Sequence, residues 1–242
     1  MSSAAETITV SRRFNGPQES GNGGYSSGLI ANHLDGPVEV SLRSPVPLDD
    51  PLDVIKVDEV SLLVRHQETL VAEARSVPEI DVAVPAPVGL EEAGRASQNY
   101  RAAGDGLFSS CFVCGPARED SFGVFAGQVE GRKVVATPWT PPAWTAEAAA
   151  EVRPEFVWAV LDCPTYFACH LEQELTLSML VRQSAEVRAP ILAGEDHIVM
   201  AWPIELEGRK RLAGAAVLSP GGEILAVAEV LLIEPRAASA AA

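Results

Sequence analysis

Arg153 to Leu171 reads RPEFVWAVLDCPTYFACHL, and the reading of this stretch decides the fold. Phe156, Val157, Trp158, Ala159, Val160 and Leu161 precede a single carboxylate, Asp162, and Tyr166, Phe167 and Ala168 follow it. A helix that is apolar all round belongs inside a protein. Pro154 suits its first turn, where a missing N–H costs nothing. Pro164 deletes an intrahelical bond and predicts a kink just after Asp162. A carboxylate in such surroundings is costly unless it is paired or used. An acid that caps a helix break or faces solvent is the plain alternative, and the stretch by itself leaves both open.

Working outward, the chain before this helix has a matching order. Ile8–Phe14 reads as a short strand, and Asn15-Gly16-Pro17 as a turn. Ser20-Gly21-Asn22-Gly23-Gly24 then leads into a mostly apolar helix over Tyr25–Leu34, closed by Gly36 and Pro37. Ser20 and Asn22 are good capping residues. From Val38 the period becomes two, and strands are predicted over Val38–Arg43, Leu52–Val57, Glu59–His66 and Thr69–Val77. Pro78 to Gly106 is richer in proline and polar residues and reads as a connector holding a short polar helix near 90–103. Beyond it, strands are predicted over Phe122–Val129 and Lys133–Trp139, then the central helix, then strands over Thr176–Arg188, His197–Leu206, Arg211–Leu218 and Glu223–Glu234. A strand, an apolar helix and a run of strands thus occur twice. The simplest packing wraps an antiparallel sheet around each helix, an α+β arrangement whose two sheets pair edge to edge. The expected units are 1–80 and 107–236, with 81–106 between them and 237–242 as a disordered tail.

Composition limits the function. Among the 242 residues 47% are hydrophobic, so a core is assured. The formal charge of −15 argues against a nucleic-acid partner, which needs a basic face. No run is apolar enough for a membrane span, and the N-terminus has no secretory pattern, so a cytoplasmic location is expected. Cys111-Phe-Val-Cys114 resembles half of a zinc site, with Cys163, Cys169 or His170 to complete it. No second pair has zinc-like spacing, and buried structural thiols are expected instead, with no metal and no cofactor. No G-x-S-x-G nucleophile elbow is present, and Gly21 to Gly24 lacks the strand context of a dinucleotide fingerprint.

This order resembles the hotdog fold, and two copies in one chain are similar to the double-hotdog acyl-CoA thioesterases. The Gly23-Gly24 pair opening a helix carries part of the resemblance. Trp158-Ala-Val-Leu-Asp162 carries more, being similar to the Ala-Leu-Ala-Asp run of phenylacetyl-CoA-type thioesterases. Cys111-Phe-Val-Cys114-Gly115 resembles a segment before the first strand of some hotdog proteins.

In that family a glycine turn holds the thioester oxygen, and the acid comes from the ninth position of the partner's motif. Counted from Gly23, the ninth residue is Ala31, beside Asn32; counted from Pro154, it is Asp162. The first half keeps the glycines and lacks the acid, and the second keeps the acid and has Pro154 and Glu155 for glycines.

The resemblance implies one working crevice for an acyl-CoA or similar small thioester. Backbone N–H groups of Gly23 and Gly24, helped by Asn22, would form its oxyanion hole. Asp162 would be its nucleophile or general base, and Trp158, Tyr166 and Asn32 would line it. Arginines at 12, 13, 43, 65, 182, 188, 209 and 211 are available to CoA phosphates. The alternative is a non-catalytic acyl or acyl-CoA binding protein of the same fold, and sheet edges leave room for a homo-oligomer.

Overall fold

The computed structural model describes residues 6–101, 108–147 and 150–236. The expected tail over 237–242 and the connector beyond residue 101 lie outside them. The stretch read first is a helix, Pro154–Cys169 (α3), with Pro154 in its first turn and nearly every residue buried. Pro164 does not end it, and the Thr165 hydroxyl donates to the Asp162 carbonyl at 2.6 Å.

The first helix, Gly23–Ala31 (α1), starts earlier and stops sooner than the apolar pattern predicts. Asn22 sets its start, because the side-chain oxygen accepts from the Tyr25 N–H at 2.9 Å. α1 runs antiparallel against α3, and glycines decide how closely. A Cβ on Gly24 would stand 2.6 Å from both Asp162 Cβ and the Trp158 oxygen, and one on Gly28 would stand 2.5 Å from Glu155 Cα. The two backbones therefore touch with no side chain between them.

Around this pair lies an antiparallel sheet. Its strands are β1 (Glu6–Thr9), β2 (Val38–Leu42), β3 (Pro51–Lys56), β4 (Ser61–His66), β5 (Thr69–Ser76) and β6 (Gly127–Gln128). They continue with β7 (Val135–Trp139), β8 (Met179–Val187), β9 (His197–Glu207), β10 (Lys210–Leu218) and β11 (Ile224–Ile233). Among the described residues they form one 11-stranded sheet in the order β1-β3-β4-β5-β2-β8-β11-β10-β9-β7-β6. The strand that follows each helix, β2 or β8, lies at the middle, and these two pair with Val38 opposite Ala185 and Ser41 opposite Arg182. The expected α+β architecture of two sheet-and-helix units joined edge to edge is what the chain adopts.

Two strand expectations need correction. The strand over Ile8–Phe14 stops at Thr9, and Arg12–Phe14 is a 3-10 turn capped by Ser11. The strand over Phe122–Val129 shrinks to β6, because the inward-facing residues of this segment pack under the sheet rather than beside it. Phe122 meets Trp144 and Phe156, and Val124 is fully buried. The short polar helix expected near 90–103 is present as α2 (Leu90–Ser97). Its Ala93 and Ala96 join Met200, Trp202 and Leu218 in a second core on the outer face of the sheet.

Candidate functional site

The start of α1 and the middle of α3 meet at one end of the helix pair. The Gly24 N–H donates to Asp162 Oδ2 at 2.9 Å, a bond between the two halves of the chain. Asp162 is 8% exposed, and its pKa is pushed up to about 7. Burial is the largest cause; the Gly24 N–H opposes it, and charge on Cys111 adds to it. The neighbouring Gly23 N–H has no acceptor among the described residues. It is one of the free donors at a helix start, where the backbone dipole also favours negative charge.

Both groups line a cavity of about 300 Å³. Leu42, Val46, Phe167 and Leu180 give it apolar walls, while Asn22 and Tyr166 contribute polar groups. Arg43 also lines it, with its guanidinium paired to Glu73 and about half exposed. The cavity lies where β2 and β8 diverge over the start of α1, which explains why residues far apart in sequence share it. Ser178 was not foreseen: it is buried at this wall, and its hydroxyl has no partner among the described residues. Nothing in the local sequence marks it, since its position follows from the pairing of β2 with β8.

The same cavity exposes a cluster of sulfur. Cys111 and Cys114 are joined by Cys163, the residue after Asp162, and their three sulfurs lie within 4.8 Å of one another. Cys111 Sγ and Cys163 Sγ are 3.8 Å apart. Asn22 Nδ2 faces both, at 3.7 and 3.6 Å. Contact with the neighbouring sulfurs of Cys114 and Cys163 holds the Cys111 pKa below the usual thiol range, while contact with Cys111 and burial push those of Cys114 and Cys163 up. Cys169 and His170 do not join them. Cys169 is buried further along α3, and the His170 ring bonds to Tyr166 O at 2.7 Å and Thr176 Oγ1 at 3.1 Å.

Of the residues singled out from the sequence, Asp162, Gly23, Gly24, Asn22 and Tyr166 are brought together. Two details differ from expectation. The Gly24 N–H is engaged by the carboxylate, which leaves the Gly23 N–H as the unengaged donor of the pair at the cavity wall. The Asn22 amide points at sulfur while its oxygen caps α1.

Trp158 and Asn32 do not line this cavity. Trp158 is one turn before Asp162, faces Gly28, and accepts from Gln183 Nε2 through its carbonyl at 3.1 Å. Asn32 lies at the opposite end of α1 and donates to Glu155 Oε2 at 3.0 Å.

No family model matches the sequence, and no curated protein matches it either. Solved structures do. A conserved protein of unknown function with a hot dog fold from Alicyclobacillus acidocaldarius superposes with a TM-score of 0.59 at 12% identity, over 96% of this chain and 93% of its own. A tesB protein from Mycobacterium avium subspecies paratuberculosis gives 0.55 at 14% identity, over 88% and 86%. A candidate thioesterase from Novosphingobium aromaticivorans gives 0.58 at 11%, over 95% and 94%. These likenesses span nearly the whole chain, and with the paired sheet-and-helix units they define a double hotdog fold. No helix among the described residues is long and apolar enough to cross a membrane.

Proposed function

We propose that this chain hydrolyses an acyl thioester, of the acyl-CoA class, in the cavity at the start of α1. The observation that carries the reading is the 2.9 Å bond joining Gly24 of one half to Asp162 of the other. It sets a carboxylate beside a helix start whose Gly23 N–H is free. The thioester oxygen would rest on that N–H, where negative charge develops as the carbonyl is attacked. Asp162 would take a proton from the attacking water through the oxygen that Gly24 leaves unpaired. Collapse of the tetrahedral intermediate then expels the thiolate, which recovers the proton from the Asp162 carboxyl, leaving carboxylic acid and free thiol. Leu42, Val46, Phe167 and Leu180 suit an acyl chain, and Arg43 suits a phosphate of the CoA moiety. The descriptions of the tesB protein and the candidate thioesterase are in keeping with this reading.

A second reading is a binding protein that retains the crevice without turnover. What favours it is that the Gly24 N–H, a donor the family's oxyanion hole would use, is occupied by the carboxylate. A panel of short, long and aromatic acyl-CoAs separates the two by release of free thiol, with binding followed by calorimetry. Hydrolysis that disappears in Asp162→Asn while binding persists supports the thioesterase. Binding of the panel without hydrolysis by the wild type supports the second reading, and neither binding nor hydrolysis overturns both.

A further inference from the structure

We propose that Cys111, Cys114 and Cys163 form a binding site for a thiophilic closed-shell cation, with zinc as the probe ion, whose fourth coordination position opens onto the cavity beside Asp162. The site does not depend on the hydrolytic reading, which uses none of these sulfurs.

Distance is the first argument. A zinc ion with thiolates at about 2.3 Å in a tetrahedron has sulfur–sulfur edges of about 3.8 Å. Cys111 and Cys163 stand 3.8 Å apart, and Cys114 completes a triangle whose sides all fall within 4.8 Å. The ligands come from two separate segments, the turn before β6 and the middle of α3, so the ion would tie loop to helix.

The turn itself is the second argument. Cys111-Phe-Val-Cys114-Gly115 folds tightly, with the Gly115 N–H donating to the Cys111 carbonyl at 2.8 Å. A Cβ at Gly115 would stand 2.5 Å from Cys111 backbone atoms, so glycine keeps the turn closed. Asn22 supplies what a metal-bound sulfur usually has outside its ligand shell, an amide donor aimed at two of the three atoms.

Contrast within the chain is the third. Cys169 is as buried as Cys111 and Cys114 yet is not part of their cluster, as suits a packing thiol. The trio instead converges on a polar cavity wall that Asp162 shares. A disulfide is the competing fate of close cysteines. It requires about 2.05 Å between two sulfurs and leaves the third unused, whereas a cation engages all three at their present separation.

The test uses the full chain, reduced with a phosphine and freed of metal by chelation. Zinc is titrated against a chromophoric chelator, and cobalt(II) is added separately for its spectrum. Expected are one equivalent of zinc per chain and cobalt bands of tetrahedral thiolate coordination. Zinc should also protect Cys111, Cys114 and Cys163, but not Cys169, from alkylation read by mass spectrometry. Cys163→Ser should lower zinc affinity by more than about 100-fold, beyond the loss of an outer-shell partner, and Cys169→Ser should leave it unchanged. Circular dichroism checks that each variant is folded, and the wild-type spectrum and protection pattern decide the matter without them. Substoichiometric zinc, cobalt bound without thiolate bands, equal losses in Cys163→Ser and Cys169→Ser, or a Cys111–Cys163 disulfide forming in the presence of zinc would each overturn the site.

Discussion

The two ends of the α1–α3 pair start from the same geometry and finish differently. At one end the start of α1 meets Asp162, and a cavity opens beside them. At the other, the start of α3 meets the end of α1, where Glu155 accepts from Asn32 and lies 3.4 Å from Arg153. Rings of Phe14, Tyr25, Phe112, Trp144 and Phe156 pack, tilted or edge to face, around the first turns of both helices. The difference follows from a few residues. Glycine at the start of α1 lets the opposing carboxylate reach a backbone N–H, whereas Pro154 has no N–H to offer and Glu155 turns to a side-chain amide. A fused pair of similar units can thus keep an acid against a backbone donor at one end and close the other with side chains alone.

The sharpest way to break this comparison is at the acid. Asp162→Asn keeps an acceptor for Gly24 but removes the base, so thiol release from acyl-CoA should fall by about 10²–10⁴-fold. In chelator-treated wild type, the rate should climb as pH rises through about 7 and then level, because only the ionised carboxylate accepts a proton. A flat profile across that range would take Asp162 out of the chemistry.

Stability should move the other way. The folded carboxyl keeps its proton to about pH 7, against an ordinary 3.8, so its contribution is most favourable at low pH and is lost as pH rises from one value through the other. Asp162→Asn should therefore gain more over wild type near pH 8 than near pH 5 in urea unfolding, on the order of a few kcal/mol.

The helix contact gives the next largest effect. Gly24→Ala sets a methyl against Asp162 Cβ, Trp158 O and Ala159 Cα, none of which can step aside. A loss of about 1–3 kcal/mol is expected, measured as a shift in denaturation midpoint. At the other end, Glu155→Ala strips Asn32 and Arg153 of their shared partner. It should cost about 1–3 kcal/mol and leave thiol release within a few-fold of wild type. An activity loss there equal to that of Asp162→Asn would mean the two ends are not distinct.

Gly23→Ala is the mildest change. The nearest atoms to its methyl are those of Leu180, whose Cδ2 end can rotate away while its Cβ cannot, so about 1 kcal/mol is expected. The displaced Leu180 should narrow the acyl chains accepted, read from rates across the panel.

How much of this was legible depends on whether the signal is local. The buried helix announced itself through unbroken apolar residues, and the strands after Val38 through a period of two. Asp162 stood out because a charge in that run needs a reason, and its counterpart at Gly23-Gly24 was found by laying one half over the other. Phe122–Val129 misled because alternation records which residues face inward, and an irregular segment pressed under the sheet alternates as a strand does. Trp158 and Asn32 were misplaced because nearness in sequence to the acid or the ninth position says nothing of helix direction. In an antiparallel pair, one turn back from Asp162 leads away from the cavity. Ser178 was silent because three-dimensional convergence alone gives it its setting, and the sequence could not choose Cys163 over Cys169 or His170 as the neighbour of Cys111 and Cys114 for the same reason.

The seam between β2 and β8 has a consequence for how the crevice assembles. When two separate subunits contribute to one site, dilution empties it as they part. Here both contributors hang from one polypeptide, so the partner's effective concentration is fixed by the length of the chain and not by the amount of protein in solution. Gly24 and Asp162 should find one another as readily in a trace as in a concentrate.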